Sequence, residues 1–218
     1  MTKGIRSNMK IAIERMKKEK WMPIIKNGII YKPIKDQEVL LNIILKQKKD
    51  GTRPFPSDRL ITNGNLLDEY TRNVLVDLCA AAVDNNWCGR SDMCIYYSCL
   101  MRYALRLLGY KAKVHIGEAI YISNTNPESK FTWEHSWVTC EGTLIDGNVD
   151  TMFENPFVPI DIDPNTYWGD IEKTPVDRLL KSNRLLSVDQ EVDELDDTYI
   201  EWKRRIKNFL KSKGFIEG

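Results

Sequence analysis

The strongest constraint on the fold is the segment RSDMCIYYSCLMRYALRLLGY, which occupies residues 90–110. Ser91 or Asp92 is a good N-cap, and Gly109 suits the position that follows a helix C-terminus. Between these ends most side chains are apolar, and the only two charged residues are arginines on one stripe. A helix that is apolar on almost all sides is buried on almost all sides. The segment therefore predicts a central helix with other elements packed around it.

Cys94 stands at the beginning of this helix, where it is expected at the second or third position of the first turn. The backbone N–H groups there have no partner within the helix, and the helix dipole is positive. Both features favour a thiolate, the nucleophilic form of cysteine, and the same N–H groups can hold an oxyanion. The alternative is that Cys94 is simply a small core residue. The helix alone leaves both interpretations open.

The other cysteines suit a nucleophile less well. Cys88 precedes the helix in a polar turn, and Cys99 lies further along the helix, where no free N–H groups remain. The intervals among these three cysteines do not resemble the short paired intervals of zinc sites, so no metal is expected. Cys79 is expected inside another helix and Cys140 in a strand.

Composition and charge narrow the class of protein. The 218 residues are 42% hydrophobic and 29% charged, which is typical of a globular domain with its own core. The 32 basic and 31 acidic residues leave a net charge of +1, so neither nucleic acid nor a membrane is an expected partner. No apolar run approaches the ~20 residues that span a bilayer, and the basic N-terminus lacks the apolar core of a secretory signal. We therefore expect a cytoplasmic protein with reduced cysteines.

Helices come mostly first and strands later, which favours an α+β fold. Before the central helix, the predicted elements are a short helix from Ser7, a hairpin at Asn27-Gly28, a helix from Asp36, a loop over 50–58 and a helix over 65–83 capped by Asn65. After it, they are a strand over 110–122, a hairpin over 131–148, an irregular stretch over 151–175 and a helix over 189–213.

The hairpin predicted over 131–148 contains a histidine between two tryptophans. In the stretch TWEHSWVT, the residues Trp133, His135 and Trp137 occupy alternate positions. Successive side chains of a strand point to opposite faces, so these three side chains are expected on the same face.

The length of the turn in this hairpin determines whether a carboxylate lies on the same face as His135 and the two tryptophans. If the Glu-Gly pair after Cys140 forms a two-residue turn, Cys140 lies opposite Thr143 and Asp146 is a diagonal neighbour of His135 on one face. A three-residue turn would place Asp146 on the opposite face. Taken singly, His135 also suits a half-buried core position and Asp146 a turn.

Cys94, His135 and Asp146, in this order, resemble the transglutaminase-like superfamily of papain-type cysteine enzymes. The core motif of that superfamily is a cysteine at the start of an apolar helix that ends at a Leu-Gly turn before a strand. The stretch CIYYSCLMRYALRLLGYKAKVHIGEA follows this pattern, EHSWVTC matches the family's His-x-Trp-Val strand, and GTLIDGN supplies the aspartate. The likeness covers residues 84–150.

The resemblance implies a papain- or transglutaminase-like core over 84–150, in which the helix carrying the cysteine packs on an antiparallel sheet carrying the histidine and the aspartate. We expect a single domain over 1–218, with a helical N-terminal layer over 1–83 and an irregular segment plus a C-terminal helix over 151–218.

The resemblance also implies acyl transfer by Cys94, with His135 as base and Asp146 as its orienting partner. The expected substrate is an amide bond of a peptide or protein, and the chemistry is that of a protease, deamidase or transamidase without a cofactor. The oligomeric state is not predicted.

Three tryptophans are expected to line the substrate pocket: Trp87, Trp133 and Trp137. One departure from the family pattern keeps an alternative function open. Asp92 stands where the family often has glycine, and a carboxylate that pointed at the sulfur would oppose a thiolate. The alternative is a catalytically inactive transglutaminase-like fold that serves as a protein-binding module.

Overall fold

A computed structural model describes residues 24–26, 29–31, 37–84, 89–155, 157–190 and 197–217, with side chains described from residue 40 onward. The helices are α1 (Gln37–Asp50), α2 (Glu69–Val83), α3 (Cys94–Leu107) and α4 (Asp197–Ser212). The strands are β1 (Ile24–Lys26), β2 (Ile29–Tyr31), β3 (Leu60–Asn63), β4 (Ala112–Ile122), β5 (Lys130–Cys140), β6 (Thr143–Asp146), β7 (Thr166–Asp170) and β8 (Arg178–Leu186). The helix predicted from Ser7 lies outside the described residues.

The main sheet has six strands in the order β3-β7-β6-β5-β4-β8. Every pairing is antiparallel except that of β3 with β7, which is parallel, so the sheet is mixed and the expected antiparallel sheet is corrected. The predicted α+β class is confirmed. β3 comes from the N-terminal third of the chain, where helices and one hairpin were expected over 1–83 but no strand of the main sheet.

The predicted central helix is α3, and its buried residues form the main core together with α2, α4 and one face of the sheet. Its C-terminus follows the prediction, because Gly109 has a φ of +90°. The N–H groups of Gly109 and Tyr110 donate to the carbonyls of Arg106 and Leu105, as in a Schellman motif. Its N-terminus differs from the prediction, since Met93 is the N-cap and no side chain caps the helix.

One other helix also differs from its predicted bounds. α2 begins at Glu69 rather than near Asn65, because Asp68 is the N-cap and its carboxylate accepts from the N–H of Thr71. Of the C-terminal helix predicted over 189–213, Asp197–Ser212 is helical, and residues 191–196 lie outside the described residues.

Both predicted hairpins are confirmed. In the first hairpin Lys26 pairs with Ile29 in an antiparallel ladder. In the second hairpin Cys140 pairs with Thr143, and Glu141 and Gly142 between them both have positive φ, as a two-residue turn of type I′ requires. The register of β6 on β5 is therefore the predicted one.

The two faces of the sheet pack against different parts of the chain. Val114, Val138 and Ile145 belong to the core that contains α3, whereas Trp137, Leu144 and Tyr167 form a separate cluster. Because side chains alternate along each strand, His135 and Asp146 belong to the face of Trp137. The body of α3 thus covers one face, and the predicted histidine and carboxylate point to the other.

Candidate active site

Cys94 is the first residue of α3 and is half-buried. It occupies the first position of the helix rather than the predicted second or third, because the N-cap is Met93 and not Ser91 or Asp92. The first hydrogen bond of the helix runs from the N–H of Tyr97 to the carbonyl of Met93. Cys94 is therefore in the first turn, where N–H groups have no partner within the helix. The side chain of Asp92 is exposed and does not cap the helix.

The first turn of α3 lies against the end of β6. A Cβ on Gly147 would come within 2.1 Å of the hydroxyl of Tyr97, so only glycine permits this approach. Asn148 donates from Nδ2 to the carbonyl of Arg90 at 2.7 Å. The β5–β6 ladder covers only Val138–Cys140 on β5. The helix N-terminus is therefore brought to the place where β6 leaves β5, close to His135.

Buried ion pairs hold the loop that leads into Cys94. The guanidinium of Arg90 donates to both oxygens of Asp150 at 2.7 and 3.2 Å and to the carbonyl of Pro54 at 2.8 Å. The backbone N–H of Arg90 donates to Glu154, which also pairs with Arg53. Arg90 and the carboxylate of Asp150 are buried, so the position of the helix start depends on pairing with the segment that follows β6.

His135 and Asp146 form a buried pair on the opposite face of the sheet. Nε2 of His135 lies 2.9 Å from Oδ1 of Asp146, and both side chains are fully buried. Nδ1 of His135 is buried and has no hydrogen-bond partner of ordinary geometry. One ring nitrogen is therefore committed to the carboxylate and the other is open.

The second oxygen of Asp146 has two further partners that the sequence did not indicate. Tyr121 on β4 donates its hydroxyl to Oδ2 at 2.9 Å, and Arg178 on β8 donates Nη1 to the same oxygen at 2.7 Å. Both residues are fully buried. Arg178 lies beyond the predicted core of 84–150, and nothing in the stretch RLLKSNRLL distinguishes it from a surface cation.

The charges of this cluster shift the protonation of the pair. Burial alone lowers the pKa of His135, but the charge and hydrogen bond of Asp146, reinforced by Cys94, raise it to about 9. Burial alone raises the pKa of Asp146, but His135 and then Arg178 and Tyr121 hold it below its ordinary value. Asp146 is thus a carboxylate and His135 an imidazolium at neutral pH.

Cys94 also contributes to the raised pKa of His135, after the larger effects of burial and of Asp146. The charge of Cys94 also contributes to the raised pKa of Tyr121. The sulfur at the start of α3 is therefore near enough to interact electrostatically with the His135–Asp146 pair. Since Nε2 is held by Asp146, Nδ1 is the ring nitrogen available to the sulfur.

Trp133 and Trp137 enclose the imidazole along β5, as the alternation predicted. Their ring centroids lie 5.4 and 6.3 Å from that of His135, with interplanar angles of 12° and 25°. Tyr121 meets the imidazole edge-on at 5.9 Å. This aromatic setting excludes water from the ring and strengthens the electrostatic pull of Asp146.

The two tryptophans also line two clefts. Trp137 is part of the wall of a cleft of about 550 Å³ that includes Arg178 and Leu180, and Trp133 lines one of about 310 Å³. Neither cleft is lined by Cys94 or His135. A role of either tryptophan in substrate binding stays a prediction, and Trp87 and Cys88 lie outside the described residues.

Among the residues that the structure describes, no group of three or more His, Cys, Asp or Glu side chains is arranged to hold a metal ion. In the same part of the chain, no helix has both the length and the apolar character that crossing a bilayer requires.

Comparisons with protein-family models, with curated proteins and with solved structures find no match for this chain. Function therefore has to be inferred from the site itself.

Proposed function

We propose that the chain is an acyl-transfer enzyme that acts on amide bonds of peptides or proteins through a thioester on Cys94. One observation carries the proposal. A buried imidazole has one nitrogen on a carboxylate and the other open, beside a half-buried cysteine at a helix N-terminus. An orienting acid, a base and a nucleophile in this order are what nucleophilic catalysis requires.

In the first half of the reaction, the sulfur of Cys94 attacks the amide carbonyl carbon. A carbon–sulfur bond forms, the carbon–nitrogen bond breaks, and the proton held by His135 passes to the departing amine. Asp146 keeps Nε2 occupied, so that the proton is exchanged through Nδ1. The products of this half are a free amine or ammonia and a thioester on Cys94.

In the second half, a water molecule attacks the thioester and gives its proton to His135. The carbon–sulfur bond breaks, which releases a carboxylic acid and returns Cys94 to its starting state. An amine in place of water gives transamidation by the same steps. The described groups at the site supply acid, base and nucleophile, and no step of the cycle calls for a cofactor.

The peptide or protein substrate is the part of the proposal that rests on the resemblance to the transglutaminase-like superfamily. That superfamily uses a helix-borne cysteine with a strand-borne histidine and aspartate, which is the arrangement proposed for this chain. A papain- or transglutaminase-like core would also account for a sulfur at the N-terminus of the central helix.

A second candidate function is a catalytically inactive protein-binding module on the same fold. The complete burial of His135 and Asp146 favours it, because buried ion pairs also occur as purely structural features. The two functions differ in the reactivity that they predict for Cys94.

Alkylation with iodoacetamide at neutral pH, with sites identified by mass spectrometry, separates them. An imidazolium that faces Cys94 should make it react at least about tenfold faster than Cys79, Cys99 and Cys140, which are buried. The experiment is done in a Cys88→Ser background, so that the cysteine outside the described residues does not compete. Cys94→Ala should abolish the fast phase. Equal, slow labelling of Cys94 and the buried cysteines would overturn the enzyme proposal and favour the binding module.

A screen with peptide-based acyl electrophiles tests the substrate class. Covalent capture measured by intact mass should depend on Cys94 and on the side chains flanking the electrophile. Capture that is independent of the peptide portion would contradict a peptide or protein substrate.

A further inference from the structure

Arg178 is the centre of a buried cluster that joins three strands to Asp146. Its Nη1 donates to Asp146, its Nε donates to Asp177 at 2.8 Å, and its Nη2 donates to the carbonyl of Asn165. The guanidinium also lies over the rings of Tyr121 and Tyr167, at 5.7 and 5.9 Å from their centroids. Every face of this side chain is in contact, so its position is strongly determined.

Tyr121 and Arg178 converge on one oxygen of Asp146 from neighbouring positions. They are a cross-strand pair between β4 and β8, and both donate to Oδ2. Oδ1 is left for Nε2 of His135. A carboxylate held by two donors on one oxygen cannot rotate without breaking two hydrogen bonds in a buried environment.

We propose that Arg178 and Tyr121 are positioning residues that act through Asp146: they assign Oδ1 to His135 and draw part of the carboxylate's charge away from the imidazole. This inference rests on the proposed function, because it names residues that set the protonation of the same site. Neither residue touches the reacting atoms.

The charges around His135 show why this sharing matters. Asp146 comes from β6, Tyr121 from β4 and Cys94 from α3, while Arg178 begins β8 and Asp177 directly precedes it. Arg178 pairs with both Asp146 and Asp177. Asp146 in turn pairs with both Arg178 and His135. Asp146 therefore neutralises the imidazolium only in part.

Removal of the Tyr121 hydroxyl tests this inference directly. In Tyr121→Phe the ring stays beneath Arg178 and the arginine still holds Oδ2, but Asp146 loses one donor and its charge is less dispersed. The pKa of His135 should rise by roughly 0.5 or more. It is measured by NMR titration of the ring nitrogens in protein labelled with nitrogen-15 histidine, where His115 and His135 give the only two sets of signals.

Tyr167→Phe is the matched control. The Tyr167 ring also lies against Arg178, but its hydroxyl donates to Asn63 and to the carbonyl of Asp170 rather than to Asp146. This variant should leave the pKa of His135 in place. The inference would be overturned if the pKa of His135 were unchanged in Tyr121→Phe, or if it rose equally in both variants.

Arg178→Lys tests the positioning part. A single ammonium cannot bond Asp146, Asp177 and the carbonyl of Asn165 at once, so the proton between Nε2 and Oδ1 should exchange with water at least about tenfold faster. Unchanged exchange would contradict a positioning role. If this variant does not fold, the comparison of Tyr121→Phe with Tyr167→Phe decides alone.

Failure of the inference is distinguishable from failure of the proposed function. Slow alkylation of Cys94 together with a His135 pKa that responds to Tyr121→Phe would refute the enzyme and leave the positioning network intact. Fast alkylation of Cys94 with a His135 pKa that does not respond to Tyr121→Phe would support the enzyme and refute the positioning network.

Discussion

His115 on β4 and His135 on β5 both stack against Trp137, at 5.6 and 6.3 Å between ring centroids. Their hydrogen-bond partners differ. Both nitrogens of His115 lie near neutral hydroxyls, Ser182 at 2.9 Å and Thr139 at 2.8 Å. His135 has a carboxylate on one nitrogen and no partner of ordinary geometry on the other.

The two sites have opposite electrostatic consequences. Burial, with a smaller contribution from Lys113, lowers the pKa of His115, whereas Asp146 and Cys94 overcome burial and raise that of His135 to about 9. Burial and aromatic contacts are common to both rings, so they do not distinguish a candidate base. A charged partner and an open nitrogen do.

The largest expected effect is on stability, and it comes from the partner of each histidine. Asp146→Ala removes the carboxylate that pairs with both His135 and Arg178, and it should lower the free energy of unfolding by about 3–5 kcal/mol. Ser182→Ala, the matched change at His115, removes one hydroxyl and should cost about 1 kcal/mol or less. Urea unfolding at neutral pH measures both. Similar losses of unfolding free energy in the two variants would show that the two histidines do not differ in how strongly their partners stabilise the fold.

The next effect is the pH dependence of stability at His135. Because its folded pKa of about 9 lies above that of unfolded histidine, its contribution is fully present below about pH 6.5 and is lost as pH rises through 9. The difference corresponds to about 3 kcal/mol. Urea unfolding between pH 6 and pH 10 should therefore show a decline that His135→Gln removes. A decline that persists in the variant would assign it to another group.

The third effect is kinetic. If His135 is the base for Cys94, as proposed, His135→Gln should slow alkylation of Cys94 by about a hundredfold at neutral pH. His115→Gln is the control, because that ring contacts Trp137 but not the sulfur, and it should change the rate by less than about twofold. Equal slowing in both variants would show that packing around Trp137 controls access to Cys94.

The smallest effect is the pH dependence at His115, and it has the opposite sign. Its pKa is lowered in the folded state, so its contribution is present above the ordinary histidine pKa and is lost as pH falls below about 6.5. His115→Gln should flatten the acid side of the stability curve and leave the alkaline side unchanged. Flattening of the alkaline side instead would contradict the assignment of the two histidines.

Local patterns predicted the elements that carry the candidate site. Gly109 ends α3 because it adopts positive φ without steric cost, and the Glu-Gly pair sets the register that places Asp146 near His135. Both rules act over a few residues and need no knowledge of the fold. The functional roles of Cys94, His135 and Asp146 stay predictions.

The strands β3, β7 and β8 were not predicted. β3 is only four residues long and pairs with β7 from a region of the chain about a hundred residues away, so no local alternation identifies it. β7 lies within the stretch 151–175, whose prolines indicated irregular structure, so that prediction is wrong for Thr166–Asp170. Neighbouring strands stabilise these segments, and the partners of a short strand cannot be read from its own residues.

The sequence by itself determined the central helix, its glycine terminus and the hairpin that puts a histidine and a carboxylate on one face, because these depend on backbone sterics and the period of each element. Only the tertiary structure decided that Cys94 approaches the pair from the other layer and that Asp146 is shared with Tyr121 and Arg178. Asp146 and Arg178 lie 32 residues apart, and a buried ion pair forms only when packing removes both charges from water together.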